Sequence, residues 1–213
     1  MTLREVANLA KQGEGLHIEF KKKVAHPDKI IKEVIALANT DGGYLLIGVD
    51  DDGTVSGQRY VDEHVFLLDK TIAEHIKPKL IYEKHILPIN AKKGVAVFRF
   101  DKSPSRPHYF LEEKKRRSFI RVKDRSVQAS KEVWEILKKQ KREQDVFFQY
   151  GEKEDVLMKA LKEQETITLK QFAKLAMLPR FAASRILVRM VLANVLEIIP
   201  QEGEDLYTLK LKD

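Results

Sequence analysis

The sequence predicts an α+β chain of two domains, a mixed α/β domain over residues 1–130 and a small helix-rich domain over 151–213, joined by a linker helix over 131–150. Three observations predict it. Strand-period and helix-period apolar patterns interleave through the first 122 residues; a helical pattern free of Pro and Gly runs from Ser130 to Tyr150; and beyond Gly151 the order becomes helix, short extended piece, helix, helix and two strands. The 213 residues suffice for two modest cores, and 43% apolar with 33% charged residues fits a globular chain.

Taken in order, Leu3, Val6, Ala7 and Ala10 recur at helical spacing before Gly13 and Gly15 stop the pattern. Leu16–Phe20 alternates as a half-buried strand. Asp28–Asn39 reads as a helix with Asp28 as its cap, ending at Asp41-Gly42-Gly43. Tyr44–Val49 is a continuous apolar strand, and with the acidic turn Asp50-Asp51-Asp52-Gly53 and the extended Thr54–Gly57 it makes a hairpin candidate. Val61–Ile76 is helical and stops before Lys77-Pro78. Ile81–Pro88 and Gly94–Phe100 read as paired strands, and Ser118–Val122 as a last one, with Phe119, Arg121 and Lys123 sharing one face. Ser130 caps the linker helix, which continues through Trp134 and Leu137 into Lys138–Asp145. The remaining elements are helix Glu154–Lys162, extended Thr166–Thr168, helices Leu169–Ala176 and Arg180–Asn194, and strands Glu197–Pro200 and Leu206–Leu211. That is the order of a winged helix-turn-helix.

Composition excludes several functions. There is no cysteine, hence no disulfide, thiolate nucleophile or sulfur-ligated zinc, and the six histidines form no H-x-x-x-H pair. The sequence holds no G-x-x-x-x-G-K-[ST] loop for a nucleotide phosphate. No run of about 18 apolar residues occurs, and the first 15 residues lack a leader-like apolar stretch, which predicts a cytoplasmic protein with no membrane partner. The net charge of +7 lies wholly in residues 1–150, where 29 Lys/Arg oppose 22 Asp/Glu; residues 151–213 carry ten of each. A basic first domain is the electrostatic footprint expected of a nucleic-acid binder, DNA or RNA.

Four stretches carry a resemblance to a known family: Glu14-Gly-Leu-His-Ile-Glu19-Phe20-Lys21; Ala36-Leu-Ala-Asn39-Thr40-Asp41-Gly42-Gly43 running through Gly48-Val49-Asp50; Ser105-Arg106-Pro107-His108-Tyr109; and Phe119-Ile120-Arg121-Val122 followed by Ala129-Ser130. On them the first domain resembles the Schlafen AlbA-type family of DNA- and RNA-binding domains, and the fold expected is a Schlafen/AlbA-like domain followed by a winged helix. The leading expectation is a DNA-binding transcriptional regulator that needs no cofactor. The alternative is a metal-dependent endoribonuclease acting on structured RNA, because Schlafen proteins that cut RNA use two glutamates five residues apart and a later aspartate as ligands for a divalent cation. The resemblance places those roles on Glu14, Glu19 and Asp50, with Asp51 adjacent, and Mg²⁺ or Mn²⁺ as the ion. In those relatives two lobes are fused around one valley, which implies a homodimer for a chain with one lobe.

The same residues have plainer readings. Glu19 beside Lys21 forms a surface ion pair, the acidic turn is an ordinary solvated hairpin, and Gly42 and Gly43 serve the backbone. For polyanion contact the expected residues are Lys21, Lys22, Lys23, Arg116, Arg117, Arg121, Lys123 and Arg125 in the first domain, with Lys114 and Lys115 in the same basic run. In the second they are Arg180, Ser184, Arg185 and Arg189 on the presumed recognition helix, whose Phe181, Ile186, Leu187, Met190 and Val191 pack inward.

Overall fold

A computed structural model describes residues 1–140 and 150–210. The chain divides into two compact units, Met1–Val127 and Gln128–Asp213.

In the first unit, α1 (Leu3–Ala10) starts from a capping box in which Thr2 accepts from the Glu5 amide and Glu5 reaches back to Thr2. β1 (Ile18–Lys21) runs parallel to β2 (Gly42–Ile47), and β2 is antiparallel to β5 (Lys93–Asp101). On its other edge β5 pairs with β4 (Glu83–Pro88), and its first residues pair with β3 (Gln58–Arg59). Alternation along these strands divides the apolar side chains between two faces. Leu45, Ile47, Ala96, Phe98 and Phe100 pack with α2 (Pro27–Asn39) and α3 (Val61–His75). Ile18, Phe20, Leu46, Val95 and Val97 pack with Val6 and Ala10 of α1. A sheet covered on both sides explains why β2 and β5 read as continuous apolar runs. Fully burying each aliphatic side chain contributes about 1.5–3 kcal/mol, and Val34, Ile35 and Leu37 of α2 all reach zero exposure.

Several boundaries differ from expectation for identifiable reasons. α2 begins at Pro27 with His26 as N-cap and no side-chain cap bond; proline, with its fixed φ and no amide hydrogen, occupies the first turn in place of the expected Asp28 cap. The hairpin expected from Tyr44–Val49 and Thr54–Gly57 does not form as a strand pair, because the partners of β2 are β1 and β5. The single last strand expected at Ser118–Val122 is instead part of a pair of hairpins, β6 (Phe110–Glu112) with β7 (Lys115–Arg117) and β8 (Phe119–Val122) with β9 (Arg125–Gln128). Their turns use Glu113, Lys114 and Lys123 at positive φ (47°, 65° and 58°), so the usual Gly or Asn signal is missing from the sequence.

In the second unit, α4 (Lys131–Gln140) has its first turn capped by Ser130, whose Oγ accepts from the Val133 amide at 3.1 Å. Residues 141–149, the remainder of the expected linker helix, lie outside the described residues. α4 buries Val133, Ile136 and Leu137 and packs against α7 (Arg180–Leu192). The other elements are α5 (Glu152–Gln164), β10 (Thr166–Thr168), α6 (Leu169–Leu175), β11 (Leu196–Ile199) and β12 (Leu206–Leu209). The strands form an antiparallel sheet in the order β10-β12-β11. Leu157, Ile167, Phe172, Leu187, Met190 and Tyr207 lie in the core between helices and sheet. Phe181 departs from expectation: it is 63% exposed, because the inward face of the first turn of α7 is supplied by the small Ala183.

Candidate nucleic-acid interface

Three of the four sequence stretches meet in space through a single buried amide. Asn39, at the end of α2, donates through Nδ2 to the His108 carbonyl, the Ser118 hydroxyl and the Phe119 carbonyl, each at 3.0 Å, and accepts from the His108 amide at 2.6 Å. His108 is itself fully buried. Its Nδ1 lies 2.9 Å from the Pro78 carbonyl and its Nε2 2.6 Å from the Ser103 hydroxyl, so the tautomer that satisfies both donates from Nδ1 and accepts at Nε2. Thr40 accepts from the Arg121 amide at 2.8 Å. Gly42 and Gly43 hold positive φ of 78° and 149°, and a Cβ at either would overlap a carbonyl oxygen, that of Phe100 or that of His17. These motif residues are therefore joints of the scaffold.

The carboxylates offered by the resemblance are each engaged separately. Glu14, on the loop before β1, accepts from the Phe20 amide at 2.8 Å. Glu19 is 6% exposed and pairs with Lys21 through one oxygen and with Arg121 at 2.9 Å through the other. Asp50 pairs with Lys22 at 2.9 Å, and this bond holds its carboxyl below the usual carboxylate range. No group of three or more His, Asp or Glu side chains able to hold a metal ion occurs among the described residues. A divalent cation needs oxygen ligands free to converge, and these three, each already committed to an internal donor, do not fit one.

Arg121 corrects the sequence expectation most sharply. Its side chain has no exposure, so it does not share a solvent face with Lys123, and Phe119 is likewise buried, stacked on Phe110 with centroids 6.0 Å apart. Arg121 Nη1 donates to Glu19, to Glu33 of α2 at 2.9 Å and to Ser126 at 3.3 Å, and Nη2 donates to the Gly15 carbonyl at 2.6 Å. Sequence reasoning missed Glu33, which also accepts from the Ser126 hydroxyl. Burial pushes the Glu33 carboxyl above its ordinary value, the nearby Glu19 adding to the rise while Ser126 and Arg121 oppose it.

The exposed cations lie elsewhere. Lys114 and Lys115, at and beside the turn of the β6–β7 hairpin, are exposed, as is Arg116, whose guanidinium stands 5.1 Å from the Tyr109 ring centroid. Lys123 and Arg125 are exposed at the β8–β9 turn. Lys22 and Lys23 are exposed after β1, Lys22 pairing with Asp50 at the surface, whereas Lys21 serves Glu19, and Arg117 pairs with Glu112 at 3.0 Å. A cation the sequence reading did not single out, Lys32 of α2, is exposed 5.7 Å from the Phe119 ring centroid. Its only sequence signal is its place on the polar side of that helix.

In the second unit, Arg180, Arg185 and Arg189 are exposed on α7, and Arg185 stands 5.8 Å from the Phe181 ring centroid. Ser184 is drawn away from solvent contacts by donating to Glu132 of α4 at 2.6 Å. An open groove of about 610 Å³ between α4 and α7 is lined by Lys131, Glu132, Glu135, Arg180, Phe181 and Arg185 among others, mixing both signs of charge.

Residues 14–130, more than half of the chain, match the family model described as Schlafen, AlbA_2. No curated protein matches the chain. Among solved structures it is similar to the DIP2311 protein from Corynebacterium diphtheriae, with 17% identity and a TM-score of 0.49 over 90% of this chain. The match covers 36% of that protein's length. Among the described residues, no helix is long and apolar enough to cross a membrane.

Proposed function

This chain belongs to the Schlafen AlbA_2 family, whose character is nucleic-acid-related, and from that premise we propose that its first unit binds the phosphate backbone of DNA or RNA through two hairpin turns. The observation that carries this reading is the exposure of Lys114, Lys115 and Arg116 on one hairpin and Lys123 and Arg125 on the next, consecutive in the chain and linked by the Phe110–Phe119 stack. Short hairpins with cationic turns reach a polyanion without moving the sheet, and each phosphate neutralised releases counterions. Lys23 and Lys32 extend the same function.

We read the second unit as a winged helix-turn-helix, on the element order α5-β10-α6-α7-β11-β12 and the antiparallel sheet that closes it. Arg180, Arg185 and Arg189 are its candidate duplex contacts. The whole chain then acts as a DNA-binding transcriptional regulator, in the cytoplasm, as a homodimer that sets two such surfaces on one target. Binding without metal is favoured over endoribonuclease activity because Glu14, Glu19 and Asp50 each already serve an internal donor.

The test is binding of labelled duplex DNA and structured RNA by the full chain, in EDTA or Mn²⁺, over a series of salt concentrations. Metal-indifferent binding is expected, with a log–log salt slope that falls by about one for each contacting cation replaced. Mn²⁺-dependent cutting abolished by Glu19→Ala would replace this reading with the nuclease. Light scattering that finds only monomer would remove the dimer.

A further inference from the structure

The Glu19–Arg121–Glu33 cluster is the most heavily bonded group of charges in the first unit. Five oxygens surround one guanidinium: Glu19, Glu33 and Ser126 at 2.9, 2.9 and 3.3 Å from Nη1, and the Gly15 and Ile18 carbonyls at 2.6 and 3.5 Å from Nη2. Carboxylates, carbonyls and a hydroxyl are the donor types that a hard divalent ion takes. Here they point at the nitrogens of a side chain with no exposure. We propose that Arg121 is the resident cation of this cluster, its guanidinium holding between β1 and α2 the place that a divalent ion would need.

Charge supports the assignment. Two carboxylates face Arg121, and Lys21 sits on the second oxygen of Glu19, so two negative charges meet two positive ones with none left over for a metal. The arrangement repeats at Asp50, where Lys22 supplies the positive charge. A flat, forked guanidinium spans oxygens from β1, α2 and β9 at once; a lysine ammonium at the same place is a single point charge. Nε of Arg121 is buried with no hydrogen-bond partner among the described residues, so the cluster relies on the two terminal nitrogens. The inference concerns what binds the carboxylates of this chain, and it holds or fails independently of whether the hairpin turns contact nucleic acid.

Thermal melts and calorimetric Mn²⁺ titration of the full chain test it, comparing wild type with Arg121→Ala, Arg121→Lys and Glu19→Gln. The wild type is expected to melt at the same temperature in EDTA and in millimolar Mn²⁺. Arg121→Ala should melt roughly 10 °C lower, because the buried Glu19 and the half-buried Glu33 lose their shared partner, and should recover part of that loss on addition of millimolar guanidinium or Mn²⁺. Arg121→Lys serves if the alanine variant does not fold, and is expected to melt below wild type while ignoring Mn²⁺. One Mn²⁺ bound per wild-type chain and lost in Glu19→Gln would overturn the proposal. So would an Arg121→Ala or Arg121→Lys protein that melts with the wild type.

Discussion

Arg121 and Lys123 stand two residues apart on one hairpin, yet one is sealed among acids and the other is open to solvent. A strand usually sends residues two apart to the same face. That rule fails here because Lys123 lies in the turn, at a φ of 58°, where the strand has already ended. The contrast teaches that a basic sequence run is two populations, cations that build the domain and cations available to a partner. Lys21 belongs to the first; Lys23, Lys114, Lys115, Arg116, Lys123 and Arg125 belong to the second, and Lys22, exposed while paired with Asp50, stands between the two.

The contrast can be broken from the structural side first. Replacing Arg121 by Ala should cost about 3–5 kcal/mol of stability, the usual penalty for stranding buried partners of an ion pair, read by denaturant unfolding. Asn39→Ala is expected to cost about 2–4 kcal/mol in the same measurement, since the His108 amide and the Ser118 and His108 oxygens lose a shared partner in a site with 1% exposure. Replacing Lys114, Lys115 and Arg116 together by Glu sharpens the other side. Stability should stay within about 0.5 kcal/mol per substitution, while affinity for all nucleic acids falls together and the salt slope drops by about three. If those changes left both binding quantities untouched, the hairpin would not be the contact.

Smaller effects separate neighbours within a unit. Ser184→Ala should remove about 1 kcal/mol through its lost bond to Glu132 and leave binding to duplex DNA unchanged, whereas Arg185→Glu should do the reverse. Glu33→Gln gives the smallest change near neutral pH, within about 1 kcal/mol. Its signature is in the pH dependence. With its folded pKa raised above the unfolded value, Glu33 contributes stability that is fully present below the unfolded value and lost as pH rises through the folded one. That slope should disappear in the glutamine variant, as followed by unfolding at a series of pH values.

Much of the scaffold was legible because its signals are local. The periodicity of α2 and α3, the glycines that open β2 and the proline after α3 each act within a few residues. The site was less legible because its partners are distant in the chain. Arg121 meets Glu19 and Glu33 across 102 and 88 positions, and nothing near residue 121 announces a buried acid. A cation in a basic, alternating strand reads as solvent-facing until the helix covering it is placed. The two hairpin turns escaped for another reason: their left-handed positions are held by Glu and Lys, residues without the conformational preference that marks such turns.

The double glycine at 42 and 43 bears on how sequence variation in this domain should be interpreted. Because any side chain there would collide with main-chain oxygens of Phe100 and His17, a saturation library selected only for soluble expression would already be purged at both positions. Intolerance at those sites reports whether the polypeptide can assemble, and says nothing about what it recognises.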